Sequence, residues 1–207
     1  MDDSIVIIDY GMGNIGSIAN MIKFVGAKSI ITSDKKIIEQ AKKVILPGVG
    51  HFDKAMQNIQ QLDLQELITY KATEEKIPFL GICLGMQLMC NRSEEGNLDG
   101  LKFINADVLH FKFDDNSSLK IPHMGWNTMI KNKDIPIIDD LDDNSRFYFV
   151  HSYYVKCNNE ADTLTYTNYG DKFTSAFSLD NIIGVQFHPE KSHKFGVKLF
   201  QNFIEKY

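Results

Sequence analysis

Residues Pro78–Gln87 read PFLGICLGMQ, and they join a short apolar run to an amphipathic segment through one cysteine. An apolar run of this length is typical of a buried strand, and residues 84–90 predict a helix. Between them, residues 81–85 form Gly-x-Cys-x-Gly, the thiol version of a nucleophile elbow, in which a sharp turn needs small residues beside the reactive one. We therefore expect Cys83 to stand above the sheet edge at a helix N-terminus, whose dipole favours the thiolate over the thiol.

The residues before this elbow alternate between strand and helix signals. Apolar runs at 5–8 and 44–46 predict buried strands, and apolar residues at helical spacing predict helices over 17–24 and 52–70. Near-continuous apolar strands separated by amphipathic helices indicate a parallel sheet covered by helices on both faces.

The second half of the chain has a different pattern. Its apolar segments are short and separated by turn residues, which predicts antiparallel strands and hairpins, and an amphipathic helix over 195–204 closes the chain. The predicted strands fall at 103–113, 128–130, 146–150, 163–167, 173–177 and 182–187. We expect one α/β domain over residues 1–207, with a mixed sheet that is parallel early and more antiparallel late.

Charge and composition exclude several classes of function. The chain has 22 Lys and Arg against 27 Asp and Glu, a net charge of −5, which argues against a nucleic-acid partner. No apolar window reaches the ~18 residues of a membrane helix, and the acidic start Met1–Ser4 lacks the basic region of a signal peptide. Cysteines 83, 90 and 157 form neither an even framework nor a CxxC pair. We therefore expect no disulfide, no metal, no membrane contact and a reducing, cytoplasmic location.

A thiolate nucleophile needs a base, and His188 has the best local support for that role. It follows the apolar run 182–187 and precedes Pro189 and Glu190. Residues two apart in an extended segment lie on one side, so Glu190 can meet His188, fix its tautomer and stabilise its imidazolium. With Cys83 these residues suggest a Cys–His–Glu triad. The alternatives are a small buried cysteine and a casual His–Glu pair at a strand end, and Cys90 and Cys157 are interpreted as structural.

Seven segments in order along the chain resemble the class I, or triad, glutamine amidotransferases. The closest resemblance within that class is to the glutaminase subunit of imidazole glycerol phosphate synthase, from histidine biosynthesis. The segments are DYGMGN at 9–14, LPGVG at 46–50, GICLGMQ at 81–87, SEEG at 93–96, PHMGWN at 122–127, YFVHSY at 148–153 and QFHPEKS at 186–192.

The resemblance implies a flavodoxin-like fold and a cofactor-free reaction. Cys83 would attack the side-chain amide of L-glutamine, form a thioester and release ammonia, with His188 as acid and base and Glu190 as its orienting group. A separate (βα)8-barrel synthase subunit would form a heterodimer with this chain. It would use the ammonia to make imidazole glycerol phosphate and AICAR.

The resemblance also assigns the oxyanion hole and the substrate contacts. The oxyanion hole would use backbone N–H groups of Leu84 and of Val49, whose flanking glycines would allow a peptide to flip and hold the enzyme idle until a partner binds. Without the resemblance, the Pro47–Gly50 segment is an ordinary turn, Glu94 and Glu95 are solvated charges, and residues 148–154 are an aromatic strand. The residues implied to hold glutamine are Gly50, Gln87, Glu95, Tyr148, His151, Ser152 and Tyr153.

Four further positions match the side that faces the synthase subunit: Asn14, His123, Trp126 and Lys191. The only tryptophan suits an interface anchor, since tryptophan is enriched at interface hot spots. Its alternative is core packing. We expect neither a nucleic acid nor a membrane as a partner.

Other functions remain open at this stage. The chain has Gly16 where many histidine-pathway members carry a basic residue, and residues 191–196 resemble a paralogous branch that supplies ammonia to sugar amidotransferases of surface-glycan biosynthesis. Two alternatives belong to other classes of function: a non-catalytic scaffold that binds the barrel, and a cysteine peptidase or hydrolase. The triad disfavours a scaffold, while Gln87, Glu95 and residues 47–50 favour glutamine over a peptide.

Overall fold

The computed structural model describes residues 5–114 and 117–207, so the acidic start Met1–Ser4 lies outside the described residues. Apolar and β-branched runs form the strands. They are β1 Ile5–Ile8, β2 Ser29–Thr32, β3 Lys43–Leu46, β4 Phe79–Ile82, β5 Arg92–Ser93, β6 Ala106–His110, β7 His123–Thr128, β8 Ile130–Lys131, β9 Arg146–His151, β10 Tyr153–Cys157, β11 Thr163–Tyr169, β12 Asp171–Leu179 and β13 Ile182–Val185.

The α-helices lie mainly in the first half and at the end of the chain. None of those in the described ranges has the length and apolar character needed to cross a membrane. They are α1 Ile15–Phe24, α2 Lys35–Glu39, α3 Phe52–Gln61, α4 Gln65–Thr69, α5 Leu84–Leu88 and α6 His193–Lys206.

One mixed sheet organises the chain in the order β2-β1-β3-β4-β13-β12-β10-β6-β5, with β11 on β12 and β8 on β11. Strands β2, β1, β3, β4 and β13 run parallel. Strands β13, β12, β10 and β6 are antiparallel to their neighbours in this series, and β7 pairs with β9 in a separate ribbon. This arrangement confirms the predicted α/β fold with a parallel core and later antiparallel strands.

Both faces of the central parallel strands β1, β3, β4 and β13 are buried. Along β1, Val6 and Ile8 contribute to one apolar cluster with α3, while Ile5 and Ile7 contribute to the other with α1 and α6. Alternate side chains of a strand point to opposite faces, so a strand covered on both faces needs a continuous apolar run. Burial of each such aliphatic side chain contributes about 1.5–3 kcal/mol.

The prediction of one helix over residues 52–70 is wrong in its continuity. Helix α3 ends at Gln61, α4 begins at Gln65, and a π-helical turn follows over Tyr70–Glu74. Asp63 has a φ of +52°, a left-handed conformation that cannot continue a right-handed helix. The apolar spacing persists across this break because Leu64 is still buried, and the pattern therefore concealed it.

Strand β13 also differs from the expectation of hairpin pairing. It is antiparallel to β12, as expected, but it lies parallel to β4 on its other side. This position brings the end of β13 beside the end of β4, so the histidine after one strand meets the cysteine after the other. The strand itself ends at Val185, before Phe187.

Neither β2 nor α2 is predicted from the sequence. Ile30 and Ile31 of β2 are 39% and 40% exposed, since this strand lies at the edge of the sheet. An edge strand lacks the buried alternation on which a strand prediction depends. Helix α2 has five residues, too few for helical periodicity to be seen.

Candidate active site

Cys83 lies between β4 and α5 in a strained backbone conformation. Its φ of 54° and ψ of −110° are unusual for a residue with a side chain, and such strain is frequent at functional sites. Its N–H donates to the carbonyl of Val185 at 2.8 Å, and its carbonyl accepts from the N–H of Gln87. The elbow is thus fixed by the neighbouring strand on one side and by the first turn of α5 on the other.

Two glycines are required because the elbow packs tightly against the sheet. A Cβ added to Gly85 would lie 1.9 Å from the carbonyl oxygen of Leu46, and one added to Gly81 would lie 2.3 Å from Cε of Met89. Both distances are far below a van der Waals contact. The small residues of Gly-x-Cys-x-Gly therefore have the steric role expected from the sequence.

His188 and Glu190 contact each other directly. The distance from His188 Nδ1 to Glu190 Oε1 is 2.9 Å, and both side chains are buried. The contact arises differently from the expected strand alternation, because Pro189–Lys191 forms a 3₁₀ turn after an extended His188. Asn14 donates its side-chain amide to the same Glu190 oxygen at 3.3 Å. His188 Nε2 has no hydrogen-bond partner among the described residues, so it is available to a bound molecule.

The electrostatics of His188 favour its protonated form. Burial acts to lower the pKa of this imidazole, but the negative charge of Cys83 and the Glu190 carboxylate outweigh it and raise the pKa to about 10. A protonated His188 beside the sulfur can act as the acid that a cysteine nucleophile requires.

Cys83 and His188 line one pocket of about 330 Å³. The pocket also contains six of the seven residues expected to hold glutamine, and Tyr148 is the exception, because its side chain lies outside. Cys90 and Cys157 are not among its lining residues either. The lining residues are Val49, Gly50, Cys83, Leu84, Gln87, Glu95, Pro122, Val150, His151, Ser152, Tyr153 and His188.

Glu95 is held at the pocket wall by the start of α3. One carboxylate oxygen accepts the N–H of Phe52 at 2.8 Å. The loop after Glu95 is held by Asp53, whose carboxylate accepts the N–H groups of Asn97 and Leu98 at 3.0 Å. Desolvation acts to raise the pKa of Asp53, but these backbone hydrogen bonds outweigh it and lower the pKa. The first turn of α3 therefore fixes both Glu95 and the loop that follows it.

In this structure the carbonyl of Gly48 occupies the place where the expected oxyanion would bind. The N–H of Leu84 donates to the carbonyl of Gly48 at 3.3 Å. In a trans peptide the carbonyl and the following N–H point in opposite directions, so the N–H of Val49 is turned away from Leu84. Rotation of this one peptide would replace the carbonyl with the Val49 N–H.

Tyr10 fixes the peptide before this one. Its hydroxyl donates to the carbonyl of Pro47 at 2.6 Å, and its side chain is buried. Burial and the nearby charge of Cys83 raise the pKa of the Tyr10 hydroxyl, so it remains a donor at neutral pH.

Two buried histidines form a directional chain that begins at the pocket wall, where His151 lies. His151 Nδ1 donates to the carbonyl of Tyr153 at 2.7 Å, so its Nε2 accepts from His123 Nδ1 at 3.0 Å. Asn127 then donates to His123 Nε2 at 3.3 Å. Burial lowers the pKa of His123 to about 4 and that of His151 to about 3, so both are neutral, as the chain requires. His123, expected at a partner surface, is only 3% exposed and lies inside the protein.

Trp126 lies on the surface of β7 and is 45% exposed. Its ring stacks on His193 at 5.3 Å between centroids and meets the edge of Tyr148 at 6.0 Å. Lys191 Nζ lies 5.7 Å from the Tyr148 ring, and Met124 beside them is 62% exposed. Trp126, His193 and Tyr148 thus form an aromatic patch with Lys191 at its edge, and the exposed Met124 lies two residues from Trp126 on the same strand.

The sequence reasoning did not identify three residues that shape the site. Gln186 lies within the QFHPE segment, Tyr10 in the first glycine-containing segment and Asp53 in the first turn of α3. The segments of Gln186 and Tyr10 match the family and Asp53 falls in a predicted helix, but the contacts of all three residues are long-range. Within the described ranges, no group of three or more His, Cys, Asp or Glu side chains is placed to hold a metal ion.

Comparison with known proteins identifies the class. A family model described as glutamine amidotransferase class-I matches residues 6–207. Because the match spans nearly all of the sequence, the chain belongs to the class I glutamine amidotransferase family. Within that family, curated relatives named as HisH subunits of imidazole glycerol phosphate synthase match the chain along its length.

The match to these relatives also covers nearly all of their own length. The chain is 57% identical to imidazole glycerol phosphate synthase subunit HisH 2 of Methanococcus maripaludis, over 98% of this chain and 99% of that protein. It is 49% identical to the protein of the same name from Pseudomonas aeruginosa, over 97% and 98%. A HisH subunit from Leptospira interrogans is 41% identical over 95% and 97%.

Solved structures share the fold at low identity. A putative GMP synthase protein from Thermoplasma acidophilum superposes with a TM-score of 0.73 at 18% identity, over 99% of this chain and 93% of that one. PurLQS from Thermotoga maritima gives a TM-score of 0.73 at 18% identity, over 100% and 99%. These matches confirm the fold of this class.

Proposed function

We propose that this chain hydrolyses L-glutamine to glutamate and ammonia at Cys83 and passes the ammonia to a separate synthase subunit. The observation that carries the proposal is the pocket lined by both Cys83 and His188, with Glu190 2.9 Å behind His188. The curated relatives are named as subunits of imidazole glycerol phosphate synthase, which supports a place in histidine biosynthesis.

The first half-reaction forms a thioester. The Cys83 sulfur attacks the side-chain amide carbon of glutamine, and the carbonyl electrons move onto the oxygen. His188 Nε2, which has no partner among the described residues of the free site, donates its proton to the departing nitrogen. The C–N bond then breaks, ammonia leaves, and the acyl group remains on sulfur. Glu190 keeps the Nδ1–H of His188 oriented throughout.

The second half-reaction restores the thiolate. His188, now neutral, takes a proton from a water molecule, and the hydroxide attacks the thioester carbon. The C–S bond breaks with its electrons going to sulfur, and glutamate leaves. The original ion pair of Cys83 thiolate and His188 imidazolium is regained.

The pocket matches the charges of free glutamine. Glu95 uses one oxygen to accept from Phe52, so its other oxygen is available for the α-ammonium group. Gly50, Ser152 and Tyr153 also line the pocket, and we assign their backbone N–H groups to the α-carboxylate. These features favour an amino-acid substrate over a peptide, which carries neither charge at an internal residue.

The partner is proposed to be a (βα)8-barrel subunit that docks over Trp126 and Lys191. The exposed patch around Trp126 is apolar enough to anchor an interface. Docking there would favour the peptide rotation at Gly48 and Val49, bringing two N–H groups to the oxyanion. His123 is a buried residue of β7, so it would affect docking only through the strand that carries Trp126. Asn14 would act through its hydrogen bond to Glu190.

A steady-state glutaminase assay tests the proposal. Glutamate release is measured for the purified chain by itself, with the barrel synthase subunit, and with that subunit plus its nucleotide substrate. Strong stimulation is expected when the barrel and its nucleotide are both present. Binding without stimulation would contradict the histidine-pathway assignment and favour a sugar amidotransferase partner. Casein hydrolysis without any glutaminase activity would indicate a peptidase, and binding without either activity a scaffold.

A further inference from the structure

A buried amide lies beside the nucleophile, and the proposed mechanism does not use it. Gln186 follows β13 and is 0% exposed. Its Nε2 lies 3.8 Å from the sulfur of Cys83, within the range of an N–H···S hydrogen bond. A buried amide normally needs all its hydrogen-bonding groups satisfied, so the contacts of Gln186 define what it does.

The direction of these contacts follows from one acceptor. The carbonyl of Tyr153 can only accept, so Gln87 must turn its NH₂ group toward it, at 3.1 Å. The same nitrogen is 3.0 Å from Oε1 of Gln186 and donates its second proton there. Gln186 therefore presents its oxygen to Gln87 and its NH₂ group to Cys83. The opposite orientation would place two donors against each other.

We propose that Gln186 is a positioning residue for Cys83, and this rests on the proposed role of Cys83 as nucleophile. Its amide donates to the sulfur, which favours the thiolate and restricts rotation of the side chain. Gln87 fixes the orientation of Gln186, because its NH₂ group donates one proton to the Tyr153 carbonyl and the other to the side-chain oxygen of Gln186. Gln87 consequently has only its carbonyl oxygen left to contact the substrate.

Gln186 can have this effect because a buried thiolate is stabilised by hydrogen-bond donors. Hydrogen bonds to an ionised acceptor are about twice as strong as those between neutral groups. In this site the donor is neutral and does not compete with His188 for a proton. A purely structural role for Gln186 would leave the sulfur unaffected, and this difference can be measured.

The test is the rate at which iodoacetamide alkylates Cys83 as a function of pH. Peptide mass spectrometry separates Cys83 from Cys90 and Cys157, and the intact chain is used without glutamine or partner. Gln186→Leu removes the donor at similar volume, whereas Gln186→Glu places an acceptor at the sulfur. Asn202→Leu is the matched control, because Asn202 is also buried and donates to two carbonyls distant from the site.

We expect Gln186→Leu to raise the midpoint of the pH profile by about one unit, which slows alkylation about tenfold at pH values below the midpoint of the natural chain. Gln186→Glu should slow it further, and Asn202→Leu should leave it unchanged. If Gln186→Leu gives no cooperative thermal transition, Gln87→Leu releases the orientation of Gln186 and should slow alkylation in the same direction.

An unchanged rate and midpoint in folded Gln186→Leu and Gln186→Glu would overturn the proposal. The readout is independent of turnover, so it separates this inference from the proposed function. Retained glutamate release by Cys83→Ala would refute the nucleophile assignment even where the alkylation results are as expected. Slowed alkylation together with loss of turnover in Cys83→Ala supports both.

Discussion

The backbone N–H of Leu84 donates to the carbonyl of Gly48 at 3.3 Å. An oxyanion would need that N–H, and the carbonyl in its place has the wrong polarity for a developing negative charge. The isolated chain therefore has an open pocket at Cys83 but lacks the second N–H of the proposed oxyanion hole.

Tyr10→Phe is expected to raise glutamate release by the isolated chain several-fold. The variant removes the hydroxyl that holds the Pro47 carbonyl at 2.6 Å, so the adjoining peptides rotate more easily. Loss of this hydrogen bond should lower the free energy of unfolding by about 1 kcal/mol. The measurements are turnover without partner and urea denaturation. Lower turnover without partner, in a folded variant, would contradict the idea that Tyr10 restrains this segment.

Cys83→Ala is expected to reduce glutamate release by at least about a thousandfold, because neither Cys90 nor Cys157 lines the pocket and could replace it. Binding to the synthase subunit should be retained, since Cys83 is buried. Cys157→Ala is the matched control and should keep its activity. Both variants are compared by turnover and by titration of the partner subunit.

Trp126→Ala is expected to weaken partner binding at least tenfold while changing the free energy of unfolding by less than about 1 kcal/mol. The reason is that Trp126 is 45% exposed in the isolated chain. Phe149→Ala, from a fully buried position on β9, should cost about 3–5 kcal/mol of stability. If Trp126→Ala is as unstable as Phe149→Ala, Trp126 is a core residue and the interface assignment fails.

The buried histidines predict a loss of stability in mild acid. Their pKa values are about 4 for His123 and about 3 for His151, below the ~6.5 of an unfolded chain. Below pH 6.5 the unfolded chain therefore binds protons that the folded chain does not, and the free energy of unfolding falls until about pH 4 through His123 and until about pH 3 through His151.

The comparison that tests this effect uses His123→Gln. Between pH 7 and pH 5 the natural chain should lose roughly 1–2 kcal/mol more stability than this variant, measured by urea denaturation. An equal loss in both proteins would mean that His123 takes up a proton in the folded state.

Asp53→Ala is expected to raise the KM for glutamine several-fold with little change in kcat. Asp53 accepts from Asn97 and Leu98 and so holds the loop next to Glu95. Glu95 contacts the bound substrate in the proposed mechanism and takes no part in the bond changes. Asp63→Ala, on an exposed turn of the same region, serves as the control, and a fall in kcat alone would argue against this role.

The sequence predicted what depends on local pattern. Continuous apolar runs identified the parallel strands β1, β3 and β4, and the glycines around Cys83 identified the elbow because steric exclusion there is local. Long-range contacts could not be found in this way. The orientation of the Gly48 carbonyl depends on Leu84, and the burial of His123 depends on Tyr169, whose ring stacks on it at 3.9 Å.

The prediction of one continuous helix over residues 52–70 failed for a related reason. The apolar spacing over residues 52–70 records which side chains are buried, and it does not record the backbone conformation of Asp63. Tyr148 shows the same limit within the site, since its segment was recognised while its side chain faces Trp126 on the outside.

Strand β13 has a consequence for synthesis of the chain. It is made late, yet it is inserted between β4 and β12, which are made earlier. A nascent chain that ends before Ile182 has unpaired edges on both of those strands and is prone to edge-to-edge association. Its Cys83 also has neither His188 nor Gln186 beside it. Cys83 therefore gains the neighbours that make it reactive only when β13 enters the sheet. Chains that end before β13 are expected to be inert toward glutamine and to depend on chaperones.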